Sequence, residues 1–278
     1  MKYKIVVDSC CDLPKDLAKD EHFSFVPLTL MVDDFSIIDD ETFDQADFLK
    51  KVRESKHCPK SACPSPERYM NEFMGENVDV YVVTLSAELS GSYNSAQLGR
   101  NLSIEEGGTN NIHVFNSMSA SCGEALIAMK IKELAEQGLP FDEVVTAVEE
   151  FTHLMKTYFV LESLETLRKN GRLTNLQAII ASALNIKPLM SAEGGKIIKL
   201  DQARGIKKAL AKMITLIKEK TINGEEKILA ISHCNCFERA EYVKAEILKL
   251  MNFKHIIIVD TAGVSSMYAN EGGIIVTV

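Results

Sequence analysis

The sequence predicts an α/β protein of two domains with mostly parallel sheets and a cleft between the domains. Short β-branched runs alternate with amphipathic helical patterns, which is the order that parallel sheets produce. The chain has 278 residues, enough for two cores, and 46% of them are hydrophobic. A helical pattern ends near residue 156, so we expect one domain at 1–156 and a second at 157–278.

The first half opens with a buried strand, "YKIVVD" (3–8), followed by a helical pattern in "DLPKDLAKDE". A second strand is predicted at 23–32, and an acidic turn region follows it. Ser65 and Pro66 fit the N-cap and first position of another helix. The other elements predicted here are helices at 44–55, 66–74, 92–102, 122–138 and 141–156, and strands at 78–86 and 111–116.

The second half repeats the alternation without an internal repeat or a disordered linker. A short helix is expected to run towards "RKNGRL", and an apolar helix follows at 175–184. The remaining predictions are strands at 157–163, 186–191, 195–203, 226–234, 255–260 and 272–278, and helices at 205–220 and 237–251.

Charge and hydropathy limit the function. The net charge of −8 argues against broad binding of nucleic acid or anionic membranes. No signal peptide is visible, and the longest apolar runs, such as "AIIASALNI", are too short to span a membrane. We therefore expect a soluble, cytoplasmic protein without stable membrane insertion.

Seven cysteines leave a metal or redox protein as one hypothesis. Their odd number argues against a disulfide scaffold, and neither Cys58/Cys63 nor Cys234/Cys236 has the paired spacing of a zinc site. We expect no metal, and we expect most of these thiols to be small buried groups.

The segment "PKSACPSP" (59–66) combines hydroxyls with two prolines that hold it in a fixed conformation. Pro59 and Pro64 fix their own φ angles and favour extended neighbours. Ser61 has no local capping role, so its partner is a ligand, a buried group or water.

Three polar loops follow predicted strands, where ligands of α/β sheets usually bind. They cover 8–12, 86–96 and 113–124. In the second loop, Ser90-Gly91-Ser92 precedes a helical pattern, so its serines are either caps or part of an anion site at the helix N-terminus. Arg172 and Arg204 lie near turn signals and either face solvent or meet a ligand carboxylate or phosphate.

A hydrolase or phosphatase that uses Asp8, Ser9 or a cysteine is an alternative to a binding protein. However, residue 10 is cysteine, so the Asp-x-Asp pattern of common phosphatases is missing. Neither G-x-S-x-G nor a phosphate-binding glycine loop occurs. No catalytic constellation stands out.

Five motifs in order resemble the DegV family of bacterial fatty-acid-binding proteins. They are "IVVDSCCDLP", "PKSACPSP", "LSGSYNSA", "KNGRLT" and "QARGIKKAL". The resemblance implies two α/β domains with one long-chain fatty acid in a tunnel between them, and no other cofactor. It also implies a non-catalytic role, in which the protein presents the carboxylate to an ATP-dependent fatty acid kinase.

The resemblance also assigns head-group residues. These are Ser61, Ala62, Ser90, Ser92, Arg172, Arg204 and Tyr268. Two of them depart from the family pattern: Ala62 replaces a serine, and Tyr268 stands where the family usually has a histidine. Tyrosine can donate a hydrogen bond to a carboxylate but is not a cation near neutral pH.

Overall fold

The computed structural model describes residues 2–75, 77–173 and 185–278. The strands are β1 (Lys2–Asp8), β2 (Phe23–Val26), β3 (Thr29–Val32), β4 (Phe35–Ile38), β5 (Lys60–Ala62), β6 (Val78–Thr84), β7 (Ile112–Asn116), β8 (Thr157–Val160), β9 (Ile186–Glu193), β10 (Lys196–Arg204), β11 (Ile228–His233), β12 (His255–Asp260) and β13 (Ile274–Thr277). The helices are α1 (Gln45–Glu54), α2 (Pro66–Phe73), α3 (Ser92–Glu105), α4 (Cys122–Glu136), α5 (Phe141–Leu154), α6 (Glu165–Lys169), α7 (Ile206–Lys220), α8 (Phe237–Leu248) and α9 (Gly263–Ala269). The helix predicted at 175–184 lies outside the described residues.

The first half contains a four-stranded sheet in the order β2-β1-β6-β7, and every pair in it is parallel. This confirms the parallel arrangement predicted for this half. Helices α2 and α3 cover one face, where Val6, Val82 and Tyr69 are buried together. Helices α4 and α5 cover the other face, with Ile5 and Ile127 in the core.

The second half contains a six-stranded sheet in the order β10-β9-β8-β13-β11-β12. Only β11 and β12 pair in parallel; the other neighbours are antiparallel. The prediction of a mostly parallel sheet is therefore wrong here. The physical reason is clearest at β9 and β10, which are joined by the two-residue turn Gly194–Gly195, because so short a connection permits only antiparallel pairing.

A third, antiparallel sheet has the order β4-β3-β5. It corrects several predictions in the first half. The strand expected at 23–32 divides at Pro27, so that β2 joins the parallel sheet while β3 joins this one. The expected acidic turn region contains β4, the loop around Ser61 contains β5, and the helical pattern at 12–21 yields only a short 3-10 helix, Leu17–Lys19.

Helix α4 lies between the two large sheets. One side packs on the parallel sheet, and the other buries Cys122 and Leu126 against Ala230 and Val259 of β11 and β12. All strands of the four-stranded and three-stranded sheets precede residue 156, and all strands of the six-stranded sheet follow it. The domain boundary at 156/157 stays a prediction, and it falls between α5 and β8.

Candidate functional site

Ser61 lies on an edge strand. Its strand, β5, pairs with β3 so that Leu30 lies opposite Ser61 and Thr29 lies opposite Ala62. Ser61 is half-buried and Ala62 is exposed. Pairing with β3, and not the flanking prolines alone, therefore fixes the direction of the Ser61 side chain.

Tyr268 meets Ser61 from the other half of the chain. Its phenol oxygen lies 3.3 Å from Ser61 Oγ, within hydrogen-bonding distance. Burial raises the pKa of the Tyr268 phenol, while the hydrogen bond to Ser61 and the charge of Arg172 oppose that rise. The phenol is therefore protonated at neutral pH and can donate a hydrogen bond.

Arg172 lies beside Tyr268 and binds the loop before α3. Its Nε donates to the carbonyl of Leu89 at 3.0 Å, and its Nη1 donates to the carbonyl of Asn170 at 2.5 Å. Its Cζ lies 5.8 Å from the centre of the Tyr268 ring. Two backbone carbonyls thus hold the guanidinium beside Tyr268.

The serines at 90 and 92 pair with each other. The Ser92 N–H donates to Ser90 Oγ at 3.2 Å, and the two hydroxyl oxygens are 3.1 Å apart. Helix α3 begins at Ser92, with Gly91 as its N-cap. A Cβ on Gly91 would lie 3.0 Å from Cys63 Sγ, so this loop contacts the chain just after β5.

An apolar cavity extends to two of these side chains, Arg172 and Tyr268. Arg172 and Tyr268 line it together with apolar side chains from both halves of the chain. Most of its lining comes from Cys10, Leu85, Leu89, Met118, Ala120, Phe159, Leu161, Leu167, Ala192, Ile197, Val264, Ala269 and Ile275. The arrangement is a largely hydrophobic space with a charged side chain, Arg172, in its wall. Among the described residues, its wall also contains five hydroxyl-bearing side chains, those of Ser119, Ser121, Thr157, Ser265 and Tyr268.

Arg204 stands apart from this group. It is exposed at the end of β10, opposite Ile186, whereas the Gly194–Gly195 turn that borders the cavity is at the other end of the hairpin. Among the described residues, no hydrogen bond or ion pair joins Arg204 to Ser61, Arg172 or Tyr268. The structure therefore brings together six of the seven predicted positions, or the loops that carry them.

Two residues of the hydrolase alternative, Asp8 and Ser9, accept hydrogen bonds from backbone N–H groups. Asp8 is fully buried and accepts hydrogen bonds from the N–H groups of Leu85 at 2.9 Å and Cys10 at 3.0 Å. Ser9 accepts from the Leu28 N–H at 3.0 Å. Burial raises the pKa of the Cys10 thiol well above its usual value, so it is not a thiolate nucleophile. The hydrolase alternative is not supported.

The cysteines do not assemble a metal site in the parts of the chain that are described. There, no cluster of three or more histidine, cysteine, aspartate or glutamate side chains could hold an ion. Cys58 Sγ instead lies 3.6 Å from Asn170 Nδ2, and Cys63 Sγ lies 3.8 Å from Ser95 Oγ.

Sequence reasoning missed the side chains that connect these segments. Asn170 donates to the carbonyl of Pro59 at 2.9 Å and so ties the end of α6 to the segment that carries Ser61. The Asn-Gly pair in "KNGRLT" was a visible signal of a turn, but its partner 111 residues away was not. Asp39, which contacts α9, carried no signal beyond its acidic surroundings.

The chain is similar to known proteins over nearly its whole length. The sequence profile of the DegV family matches residues 2–278. The chain belongs to the DegV family. A DegV domain-containing protein of Streptococcus gordonii is 38% identical over 283 aligned residues, which cover 99% of this chain and 98% of that protein.

Two solved DegV family structures have the same fold over nearly the whole chain. A DegV family protein of Ruminococcus gnavus, refined with vaccenic acid, has a TM-score of 0.97 and 50% identity, with 99% of each chain covered. The fatty acid kinase B3 protein of Streptococcus pneumoniae, loaded with linoleic acid, has a TM-score of 0.92 and 33% identity, with 100% of this chain and 99% of that one covered.

Across 2–75, 77–173 and 185–278, no helix is long and apolar enough to cross a membrane.

Proposed function

We propose that this protein binds one long-chain fatty acid and presents its carboxylate to an ATP-dependent fatty acid kinase. The tail lies in the apolar cavity, and the carboxylate meets Ser61, Tyr268 and Arg172. One observation carries the proposal: Arg172 and Tyr268 line an otherwise largely apolar cavity, and Tyr268 OH is 3.3 Å from Ser61 Oγ.

The tail supplies most of the binding free energy. A tail of about 14 methylenes gains about 11 kcal/mol, at roughly 0.8 kcal/mol per buried methylene, before the cost of association. The cavity wall provides the matching surface, because side chains such as Phe159, Ile197 and Ile275 present only carbon to it.

The head group supplies orientation. A carboxylate taken out of water costs several kcal/mol unless donors surround it. Arg172 offers a charged donor, and the hydroxyls of Ser61 and Tyr268 offer neutral ones. Ser90 and Ser92 lie on the adjoining loop as a second set of hydroxyls, while Ala62 contributes no donor.

The chemistry then belongs to the partner. The kinase supplies ATP, and a carboxylate oxygen of the bound acid attacks the γ-phosphorus, so that the bond to the β,γ-bridging oxygen breaks and ADP leaves. This protein contributes neither a catalytic residue nor a cofactor. The match to the fatty acid kinase B3 protein supports this division of labour. Dependence on ATP supports a cytoplasmic location.

Native mass spectrometry of gently purified protein tests the binding step. We expect a mass adduct equal to one fatty acid, which disappears after extraction with organic solvent and returns on incubation with a C16 or C18 acid. Protein that carries no adduct and takes up no saturated or unsaturated acid between C14 and C20 would contradict the proposal.

A coupled assay tests presentation. Loaded protein, ATP and a fatty acid kinase should yield acyl phosphate, which hydroxylamine traps as a hydroxamate. Free fatty acid without this protein is the control, and equal product in both reactions would rule out a presenting role.

A further inference from the structure

The helix that carries Tyr268 is capped from the other half of the chain. Helix α9 (Gly263–Ala269) has no side-chain cap from the residue that precedes it. Asp39, which is 224 positions away, accepts hydrogen bonds from the N–H of Gly263 at 2.7 Å and of Val264 at 2.8 Å. These are the first two N–H groups of the helix, which have no partner within it.

Asp39 fits this place closely. Only 3% of the residue is exposed, and Ser9 Oγ donates to it at 2.9 Å while accepting from the Leu28 N–H. A Cβ on Gly263 would lie 2.4 Å from Asp39 Oδ1 and 2.6 Å from Leu30 Cδ1. The glycine is what allows the carboxylate to approach the helix.

Two further side chains hold the same end of α9. Asp12 accepts from the Ala262 N–H at 2.7 Å. Gln45 Nε2 donates to the Thr261 carbonyl at 2.8 Å and lies 3.0 Å from Ser266 Oγ. The start of this helix is therefore held by side chains of the first half of the chain.

The C-terminal end of α9 contacts the three-stranded sheet β4-β3-β5. Tyr268 reaches Ser61 Oγ at 3.3 Å, and Ser61 lies opposite Leu30 in the small sheet. Leu30 also packs with Val264 in one buried cluster. Strand β3 thus contacts the capped end of α9 and pairs with β5, the strand that carries Ser61.

We propose that Asp39 is a positioning residue for the fatty-acid site. By capping α9 it places the Tyr268 phenol against Ser61 and thereby sets how tightly the carboxylate is held. This inference rests on the proposed function. A carboxylate is needed because both of its oxygens accept, whereas the amide nitrogen of an asparagine would face an N–H donor.

A double-mutant cycle tests the inference through the ligand. We expect Tyr268→Phe to weaken binding of a fluorescent fatty acid about tenfold, as expected for a lost hydrogen bond to a charged group. Asp39→Asn should weaken it about fivefold alone, but less than twofold when added to Tyr268→Phe. A full fivefold effect in both backgrounds would overturn the inference.

A matched control separates positioning from general loss of packing. Asp8 is an equally buried carboxyl that accepts two backbone N–H groups, but neither belongs to α9. Any effect of Asp8→Asn on binding should be the same with and without Tyr268→Phe. Equal coupling for Asp8 and Asp39 would also count against the inference.

A ligand-free measurement keeps the inference separate from the proposed function. In protein labelled with 3-fluorotyrosine, the ¹⁹F resonance of Tyr268 is identified by its loss in Tyr268→Phe. We expect Asp39→Asn to shift that resonance and Asp8→Asn to leave it in place. If the protein binds no fatty acid, the proposed function fails, while the ¹⁹F shift still decides whether Asp39 positions Tyr268.

Should Asp39→Asn fail to fold, Ser9→Ala provides a milder variant. It keeps the carboxylate and removes one of its donors. The same ¹⁹F resonance should move in the same direction by a smaller amount, and an unmoved resonance would contradict the inference.

Discussion

At the scale of single residues, Ser61 offers the most direct test of the head-group site. Replacing it with alanine removes a hydrogen bond to a charged group, typically worth about 1.5–3 kcal/mol. We expect Ser61→Ala to weaken fatty-acid binding roughly ten- to hundredfold without lowering the melting temperature. A fluorescent fatty acid is the reporter, because the chain contains no tryptophan.

Ser65 provides the control for Ser61. It is an exposed serine of the same segment, and its side chain makes no capping hydrogen bond at the start of α2. Ser65→Ala should leave the dissociation constant unchanged. If the two variants bind equally well, Ser61 is an ordinary surface serine.

Arg172 should matter more for phosphoryl transfer than for binding. The acyl phosphate carries more negative charge than the acid, and a guanidinium meets phosphate oxygens with a planar pair of donors. In Arg172→Ala we expect acyl phosphate formation to fall at least tenfold further than fatty-acid affinity falls. Single-turnover transfer and equilibrium binding measure the two effects.

Two other arginines make the Arg172 measurement specific. Arg168 pairs with Glu165 at 2.8 Å on the exposed side of α6, so Arg168→Ala should change neither quantity. Arg204→Ala tests the head-group role that the family resemblance assigns to that residue. If Arg172→Ala leaves phosphoryl transfer unaffected, Arg172 has no role in transfer and is only a charged residue at the end of a helix.

At the scale of elements, the β9–β10 hairpin borders the cavity with its turn. Ser86 Oγ donates to the Gly195 carbonyl at 2.8 Å. A Cβ on Gly195 would lie only 2.5 Å from Ser86 Oγ. Gly195→Ala therefore adds a clash to the strain of a positive φ. We expect it to lower the free energy of unfolding by about 2–3 kcal/mol, measured by urea denaturation.

Gly194 separates the clash from the backbone strain. It also has a positive φ, but a Cβ there would meet no atom within 4 Å. Gly194→Ala should cost only about 1 kcal/mol. Equal losses in the two variants would show that the turn does not press against Ser86.

At the scale of the whole molecule, buried carboxyls make stability depend on pH. Burial raises the pKa of Asp8 to about 6, of Asp12 to about 7 and of Asp39 to about 6, and it raises the pKa of Glu124 well above its usual value. In the unfolded chain these groups ionise near pH 4. The folded state therefore binds more protons between pH 4 and 7, and it loses stability as pH rises through 6 to 7.

We expect the free energy of unfolding to fall by at least about 2 kcal/mol between pH 5 and pH 8. Urea denaturation at several pH values measures it. Asp12→Asn should flatten the dependence, while the exposed Asp34→Asn should leave it unchanged. Stability that is constant or rises over this range would contradict the expectation.

The positions of many helices and strands could be predicted from the sequence because the patterns that specify them are local. Strand β1 and helices α2, α4 and α7 each carry their own periodicity and end signals, so their positions were predicted within a few residues. Strand direction in the second half was not readable, because β13 inserts between β8 and β11 and no local pattern encodes that neighbour.

The sequence by itself determined the alternating α/β elements, the motifs that resemble the DegV family and the residue types suited to a carboxylate. The tertiary structure alone decided that Ser61, Arg172 and Tyr268 meet, because their contacts join segments up to 207 positions apart. It also decided that Asp8 and Ser9 support the backbone and that Asp39 caps α9. Such contacts depend on how sheets and helices pack, and packing is a property of the whole chain that no local spacing records.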